Sequence, residues 1–157
     1  NPSTVLICIF LMFIGASPGS TGGGIKTTTF SVLLLSVQSM LRGRKELSLF
    51  NRKISLGNHR EATSLITLAG IIVFIVIFLL LMVEPHAFER IVFEAFSAFG
   101  TVGLSMGITS ELSALGRLLI TLLMYIGRIG PLTMIYALSM RKVQPRISYA
   151  EEKIAIG

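Results

Sequence analysis

The longest uncharged segment of the chain limits its possible folds more than any other feature. Residues Leu65 to Val83 carry no charge and consist mainly of Ile, Leu, Val and Phe. A helix needs roughly 20 apolar residues to cross the hydrocarbon core of a bilayer. A core strand or buried helix is rarely so long and so purely apolar. The segment therefore predicts a transmembrane helix, which we bound at residues 64–83.

The composition agrees with a membrane protein. Of the 157 residues, 52% are apolar and 14% charged, against about 25% charged in an average soluble domain. All acidic residues are glutamates, which disfavours any site that needs an Asp ligand or catalyst. Cys8 lies in an apolar run, and His59 and His86 have no partner at metal-ligand spacing. We expect no enzyme, no resident metal and no cofactor in this chain.

The first 40 residues predict a membrane helix that is broken in its middle. Val5–Ile14 is apolar but too short to cross alone, and helical character resumes at Ile25 and continues to Met40. Glycines and a proline prevent a regular helix in between. A non-helical stretch at membrane depth persists only where protein buries it or where it lines a water-filled cavity. The interrupting residues are Gly15-Ala16-Ser17-Pro18-Gly19-Ser20-Thr21-Gly22-Gly23-Gly24.

The distribution of charge predicts the topology. Residues 41–63 form a loop with six basic and two acidic residues, and the tail 141–157 has four basic and two acidic residues. Residues 84–117 carry four acidic and two basic residues. The positive-inside rule assigns the loop and the tail to the cytoplasm and the acidic part to the outside. A second complete span over 110–140, apolar apart from Arg117 and Arg128, returns the chain to the cytoplasmic side.

Residues 84–109, between these two spans, predict a pore loop. Apolar residues follow Pro85 at helical spacing, over a length of roughly 14 residues that is too short to cross the bilayer. Thr101-Val102-Gly103-Leu104-Ser105 follows as a glycine-containing extended segment. A cation in a narrow pore must exchange its hydration shell for backbone carbonyl and Thr hydroxyl oxygens, and these residues can supply both. The C-terminal end of the short helix carries partial negative charge, which favours a cation.

The order of span, short helix, Thr101–Ser105 and span resembles the last repeat of the Trk/Ktr/HKT superfamily of potassium transporters, with the bacterial Ktr-type membrane subunit as the nearest likeness. The broken helix 1–40 resembles the second helix (M2) of the family's third repeat. Residues 64–83, 84–109 and 110–140 then resemble M1, pore loop and M2 of the fourth. The end, Glu151 to Gly157, also resembles the Ktr C-terminus. The resemblance implies an all-α integral membrane fold of which this chain is the C-terminal part.

The resemblance also implies a function. Four pore loops in one polypeptide would form one K⁺ selectivity filter, so Thr101, Val102, Gly103, Leu104 and Ser105 would supply a quarter of it. Leu104 and Ser105 depart from the Thr-Val-Gly-Tyr-Gly of tetrameric channels, which leaves the strictness for K⁺ over Na⁺ open. Expected partners are the remaining repeats, a second subunit in a homodimer, a cytoplasmic nucleotide-binding (RCK/KTN-type) ring and the lipid bilayer, but no nucleic acid. The expected location is the bacterial plasma membrane, with a cytoplasmic C-terminus.

A second hypothesis concerns a gate. The small, flexible residues of the interruption would block the pore beneath the filter and swing aside, although a passive kink for close helix packing is the alternative. Arg128 at mid-span costs roughly 2.5–3.5 kcal/mol on insertion scales, so a reason for its retention is expected. It would bond the loop carbonyls or anchor filter backbone; Lys26 would contact the loop or extend toward the cytoplasm. The predicted gate residues are Ser17, Pro18, Gly19, Ser20, Thr21, Gly22, Gly23, Gly24, Lys26 and Arg128.

Two rival functions remain. Gly19 and Gly24 have the spacing of a phosphate-binding P-loop, and the apolar run before them would pass for its strand. Ile25 separates Gly24 from Lys26, however, so the lysine of Gly19–Thr27 is displaced by one residue from the pattern. A non-conducting membrane scaffold is the other alternative, because one repeat cannot form a pore alone.

Overall fold

The computed structural model describes residues 1–43, 48–49, 52–53 and 55–130, and five helices form most of these parts of the chain. The all-α prediction therefore agrees with the described residues, except for one short antiparallel pair with Ser48 opposite Lys53 and Leu49 opposite Arg52. An alternating pattern is recognisable only over roughly four to eight residues, so sequence alone did not reveal this pair. The elements are α1 Pro2–Ile14, α2 Thr27–Leu41, β1 Ser48–Leu49, β2 Arg52–Lys53, α3 Leu56–Val83, α4 Phe88–Gly100 and α5 Ala114–Ile129.

The helix predicted over 64–83 is present but begins earlier, at Leu56. By length and composition, Gly57–Val83 is the one helix among the described residues that qualifies as a membrane span. The Ser55 hydroxyl accepts a hydrogen bond from the Asn58 N–H at 3.2 Å and caps the first turn. A helix that is capped in this way can include polar residues that lie outside a bilayer. α3 therefore includes the last part of the predicted loop 41–63.

Two helices flank the glycine-rich stretch of the first 40 residues. α1 ends at Ile14, Gly15 adopts a φ of 60°, and α2 begins at Thr27. The N–H of Thr27 donates to the Ala16 carbonyl at 3.3 Å, and the Ile25 N–H donates to Phe13 at 3.2 Å. The non-helical stretch thus leaves α1 and returns to its end, which makes it a closed loop rather than an extended linker.

The span predicted over 110–140 needs a correction. α5 begins at Ala114, capped by Ser113, and ends at Ile129, because Gly130 leaves the helix with a φ of 90°. Pro131 follows, and a proline disfavours helical conformation in the residue before it. Residues 131–140 and the predicted tail 141–157 lie outside the described residues.

α4 lies at the centre of the described fold and packs against α1, α3 and α5. Its Phe99 is fully buried, and the Phe13 ring of α1 lies 6.1 Å from the Phe99 ring and 5.6 Å from that of Phe96. These contacts fix the C-terminal end of α4, where the predicted pore loop begins. The buried cluster around it comprises Ile25, Ala69, Val73, Val76, Leu80, Ile91, Ala95, Ala98, Phe99, Ile108, Leu112, Ile120 and Leu123.

Candidate functional site

α4 ends in a C-terminal cap that starts the predicted filter segment. The Val102 N–H donates to Ser97 at 3.0 Å and the Thr101 N–H donates to Ala98 at 3.0 Å, which is the pairing of a Schellman motif. The left-handed residue of this motif is usually glycine, but here Thr101 adopts a φ of 52°. A β-branched residue in that conformation is uncommon and strained. The first predicted filter residue is therefore held in a conformation it would not adopt alone.

The next residues form an exposed segment that leads away from the helix end. Gly103 has a φ of 83°, a conformation that residues with a Cβ rarely adopt. Val102 and Leu104 on either side are 45% and 51% exposed, and Ser105 is exposed as well. The structure thus places all five predicted filter residues in one non-helical segment, largely exposed, at the C-terminal end of α4.

A buried carboxylate supports the far end of this segment. Glu94 on α4 is 5% exposed and accepts hydrogen bonds from the hydroxyls of Ser105 at 2.8 Å and Thr109 at 2.5 Å. The Ser105 oxygen in turn lies 2.8 Å from the Thr109 hydroxyl and accepts the Gly107 N–H at 3.0 Å. The Glu94 side chain therefore connects α4 to the loop that follows Leu104, at both Ser105 and Thr109.

The predicted gate loop divides into an exposed tip and a buried base. Residues 17–21 are exposed, whereas Gly23 and Gly24 are buried. The two ends of the tip are in contact, since a Cβ on Gly22 would lie only 2.5 Å from the Ala16 Cβ. The tip is therefore a small loop whose two ends, at Ala16 and Gly22, lie side by side.

The base of the gate loop joins the predicted filter directly. The Gly23 N–H donates to the Thr101 hydroxyl at 2.8 Å, and the Gly24 N–H donates to the Gly127 carbonyl of α5 at 3.2 Å. A Cβ on Gly23 would lie 2.9 Å from the Phe99 carbonyl oxygen. These backbone contacts leave no room for a side chain between the loop and the end of α4.

Both predicted basic residues contact the loop. Arg128 Nη1 donates to the Thr21 carbonyl oxygen, and Lys26 Nζ donates to that of Gly22 at 2.6 Å. Of the two possibilities for Lys26, contact with the loop is the one observed. Arg128 is exposed among the described residues and contacts the loop rather than the filter backbone.

Sequence reasoning missed two buried glutamates and one glycine. By sequence alone, Glu94 was counted only among the acidic residues of 84–117. Its spacing from Ile91 and Ala98 nevertheless places Glu94 on the buried face of α4. Glu84, 5% exposed, accepts from the N–H and the hydroxyl of Ser113 at 3.0 and 2.6 Å. A Cβ on Gly127 would overlap the Phe99 carbonyl. None of these long-range pairings has a local signal in the sequence.

The geometry disfavours the P-loop alternative. The residues before the glycines form helix α1 rather than a strand. A phosphate cradle needs free backbone N–H groups, but those of Gly23 and Gly24 donate to Thr101 and Gly127. Lys26 donates to the Gly22 carbonyl within the same loop. The loop is instead paired to the predicted pore segment.

Comparison with known proteins gives one consistent family. The family of TrkH proteins, described as cation transport proteins, matches residues 1–149. The Ktr system potassium uptake protein D of Bacillus subtilis is 40% identical over 100% of this chain and 35% of its own length. Protein B of the same system and organism is 45% identical over 98% of this chain and 34% of its own length.

A third relative carries a name that includes a second ion. The potassium/sodium uptake protein NtpJ of Enterococcus hirae is 39% identical over 98% of this chain and 35% of its own length. The chain thus spans about a third of the length of the curated relatives it matches.

Proposed function

Because the chain belongs to the TrkH family of cation transport proteins, we propose that it is the C-terminal part of the ion-translocating subunit of a potassium-uptake system. The relatives named potassium uptake proteins match nearly all of it. One repeat of four, together with the second helix of another, amounts to about the third of those relatives that the chain covers. The remaining repeats would complete the pore.

The observation that carries the proposal is the geometry after α4. A helix of 13 residues is too short to cross a bilayer, and it ends at a left-handed Thr101 from which an exposed segment with Gly103 returns. We assign Thr101 to Ser105 as one quarter of a carbonyl-lined K⁺ filter, with α3, α4 and α5 as M1, pore helix and start of M2. The exposed Val102 and Leu104 side chains would be covered by neighbouring repeats.

The proposed ion comes from the names of the relatives, and the proposed orientation comes from the charges along the chain. K⁺ is the proposed ion, and Na⁺ dependence is included because NtpJ is named for both ions. The acidic residues of 84–117 would face the outside of a bacterial plasma membrane, and the basic loop 41–63 and the C-terminus would face the cytoplasm. Acidic groups at the outer mouth would raise the local cation concentration.

The glycine-rich loop is the proposed gate. Support comes from its base, which donates hydrogen bonds to Thr101 and to Gly127 and so lies beside the first filter residue. Arg128 and Lys26 hold the carbonyls of Thr21 and Gly22, which would keep the exposed tip near the conduction path. Movement of the tip about this base would open the pore.

The proposed partners extend beyond this chain. Large apolar side chains remain exposed on α1, α3 and α5, including Phe10, Phe74 and Leu118 at 53%, 70% and 55%. Lipid and the missing repeats of the same polypeptide would cover them. A homodimer and a cytoplasmic nucleotide-binding ring of the RCK/KTN type complete the proposed assembly.

Ion flux through the complete transport protein in liposomes tests the proposal. Wild-type protein should take up K⁺, and Gly103→Ser should lose most of its preference for K⁺ over Na⁺, because a φ of 83° is strained for serine. Gly43→Ser is the matched control, since Gly43 has a φ of 63° with open space around it outside the pore loop. Wild-type protein without flux would support the scaffold alternative, and an unchanged preference in Gly103→Ser would remove the filter assignment.

A further inference from the structure

The far end of the proposed filter segment is held by a side chain to which neither the family resemblance nor the proposed function gives a role. Glu94 is 5% exposed, and its two carboxylate oxygens are each engaged by one hydroxyl. Ser105 donates to Oε2 at 2.8 Å and Thr109 donates to Oε1 at 2.5 Å. A buried charge is retained only when it is paired or fully hydrogen-bonded, and these hydroxyls supply that pairing.

The protons in this network have a definite arrangement. A carboxylate accepts but cannot donate, and each hydroxyl has one proton. The Ser105 proton therefore points inward to Glu94, while one Ser105 lone pair accepts the Gly107 N–H at 3.0 Å. Thr109 lies 2.8 Å from the Ser105 oxygen, but its proton goes to the shorter contact with the charged group, which is the stronger acceptor. The Ser105 hydroxyl oxygen thus has three close neighbours, Glu94, Gly107 and Thr109.

We propose that Glu94 is a positioning residue that holds Ser105, and with it the backbone carbonyls at the outer end of the filter, in place for the cation. This proposal rests on the proposed function of Thr101–Ser105. With its hydroxyl bonded to Glu94 on α4, Ser105 keeps one position, and a cation needs oxygens that are already in place to replace its hydration water. The carboxylate charge behind the hydroxyl adds a favourable potential for a cation.

Replacement of Glu94 by glutamine would change the hydrogen bonds to Ser105 and Thr109 and not merely the charge. A glutamine amide has one oxygen and one NH₂ group, so only one of the two positions that Ser105 and Thr109 contact can still accept a hydrogen bond. One of the two must instead accept from the NH₂ group and release its own proton. Glu94→Gln would thus weaken the attachment of Ser105 or Thr109 to α4 and loosen the outer end of the filter segment. Glu94→Asp would keep two acceptor oxygens and restore part of the lost function.

Uptake of K⁺ by the complete protein in liposomes tests this, with apparent KM and maximal rate measured separately. Glu94→Gln should raise the KM for K⁺ about tenfold, as expected for losing a hydrogen bond to a charged group. Its maximal rate should change less than about twofold, because the rest of the filter is kept. Ser105→Ala should shift KM in the same direction. The double variant should be no worse than the poorer single variant, because Glu94 acts through Ser105.

Glu89→Gln is the matched control, because Glu89 lies exposed in the first turn of the same helix and its loss removes the same charge from the outer side. A KM for Ser105→Ala equal to wild type would overturn the proposal, even if Glu94→Gln failed to fold. So would a Glu94→Gln variant that behaves as Glu89→Gln or loses only folded protein and maximal rate. If wild type takes up K⁺ and Gly103→Ser loses its preference, such a result rejects this inference alone; absence of wild-type flux rejects the proposed function.

Discussion

The two ends of the Thr101–Ser105 segment are held by different chemistry. At the inner end, where Thr101 begins the segment, glycine backbone meets it at close range: the Gly23 N–H donates to the Thr101 hydroxyl, and Gly127 lies against the Phe99 carbonyl. At the outer end, side chains make the contacts, with the carboxylate of Glu94 accepting two hydroxyls. The inner end is therefore sensitive to added volume, whereas the outer end is sensitive to charge and to the number of hydrogen-bond acceptors.

This difference fits the two tasks proposed for the segment. The inner end touches a loop whose exposed tip can rearrange without breaking the core, and Thr101 stores backbone strain at a φ of 52°. The outer end is tied to α4, the most enclosed helix of the described fold. Gating would act on the first end and ion preference would be set at the second.

The largest effect is expected where the inner end is most crowded. Gly127→Ala would push a methyl group against the backbone carbonyl of Phe99. A backbone group, unlike the end of a flexible side chain, cannot move aside without shifting α4. Overpacking of this kind costs about 1–3 kcal/mol or more, so we expect a lower unfolding temperature and loss of most K⁺ uptake. Thermal unfolding in detergent and flux in liposomes measure the two effects.

Gly70→Ala provides the control for that substitution. Gly70 lies within α3 with no atom within 4 Å of an added Cβ, and alanine favours a helix over glycine by roughly 0.5–1 kcal/mol. It should stay stable and transport normally. Normal stability and uptake in Gly127→Ala as well would show that the inner end is not closely packed.

The second-largest effect concerns the exposed tip. Removal of residues 17–21 joins Ala16 to Gly22, which already touch, and keeps the base that contacts Thr101 and Gly127. We expect K⁺ flux to rise several-fold with unchanged ion preference, because the obstruction is lost and the filter is retained. A longer deletion, of residues 17–24, would also remove the contacts of the base with Thr101 and Gly127. A change in flux could then come from the loop or from the proposed filter.

A replacement of the same tip by an equal number of glycine and serine residues serves as the comparison. This variant retains the bulk of the loop, so its flux should stay near wild type. If the shortened loop conducts no faster than the full-length replacement, the passive-kink hypothesis is favoured over the gate.

Local patterns in the sequence predicted the parts of the fold that depend on neighbouring residues. The apolar run of 64–83, the interruption at Gly15–Gly24 and the short helix before Thr101 all follow from composition, glycine and proline within a few residues, although α2 begins at Thr27 rather than at Ile25. The end of α5 at Ile129 had such a signal as well, since Pro131 follows Gly130, but the long apolar run suggested continuity instead.

The contacts that distinguish the two ends of the proposed filter segment had no such signal. Gly23 and Thr101 are 78 positions apart in sequence, and Arg128 and Thr21 are 107 apart. Which glycine meets which carbonyl depends on how the helices pack, and that is not encoded in any local period. The position of Glu94 on the buried face of α4 was predictable, but its partners were not.

A smaller effect is expected for the single hydrogen bond between loop and filter. Thr101→Val keeps the branched shape but removes the acceptor, which leaves the buried Gly23 N–H unpaired at a cost of about 1–3 kcal/mol. The loop should therefore leave its base more often. With Ile25→Cys, at a buried position beside the base, introduced in a cysteine-free background, the rate of modification by a water-soluble thiol reagent should rise several-fold.

Thr101→Ser distinguishes the hydroxyl from the side-chain shape in the same assay. Serine retains an acceptor for Gly23, so its modification rate should stay close to wild type. Equal rates in the valine and serine variants would mean that this hydrogen bond does not restrain the loop.

The smallest effect concerns a scaffold contact near the outer end. The Ser113 hydroxyl donates to Glu84 at 2.6 Å and accepts the Gly116 N–H at 3.1 Å, capping α5. Ser113→Ala should lower the free energy of unfolding by about 1 kcal/mol, as lost N-caps do, whereas exposed Ser31→Ala should change it by less than about 0.5 kcal/mol. The KM for K⁺ should not move in either variant, because Glu84 and Glu94 engage different hydroxyls. A KM shift in Ser113→Ala would mean that the cap of α5 also sets the position of Ser105, and the outer end would then be one connected unit rather than a separate carboxylate site.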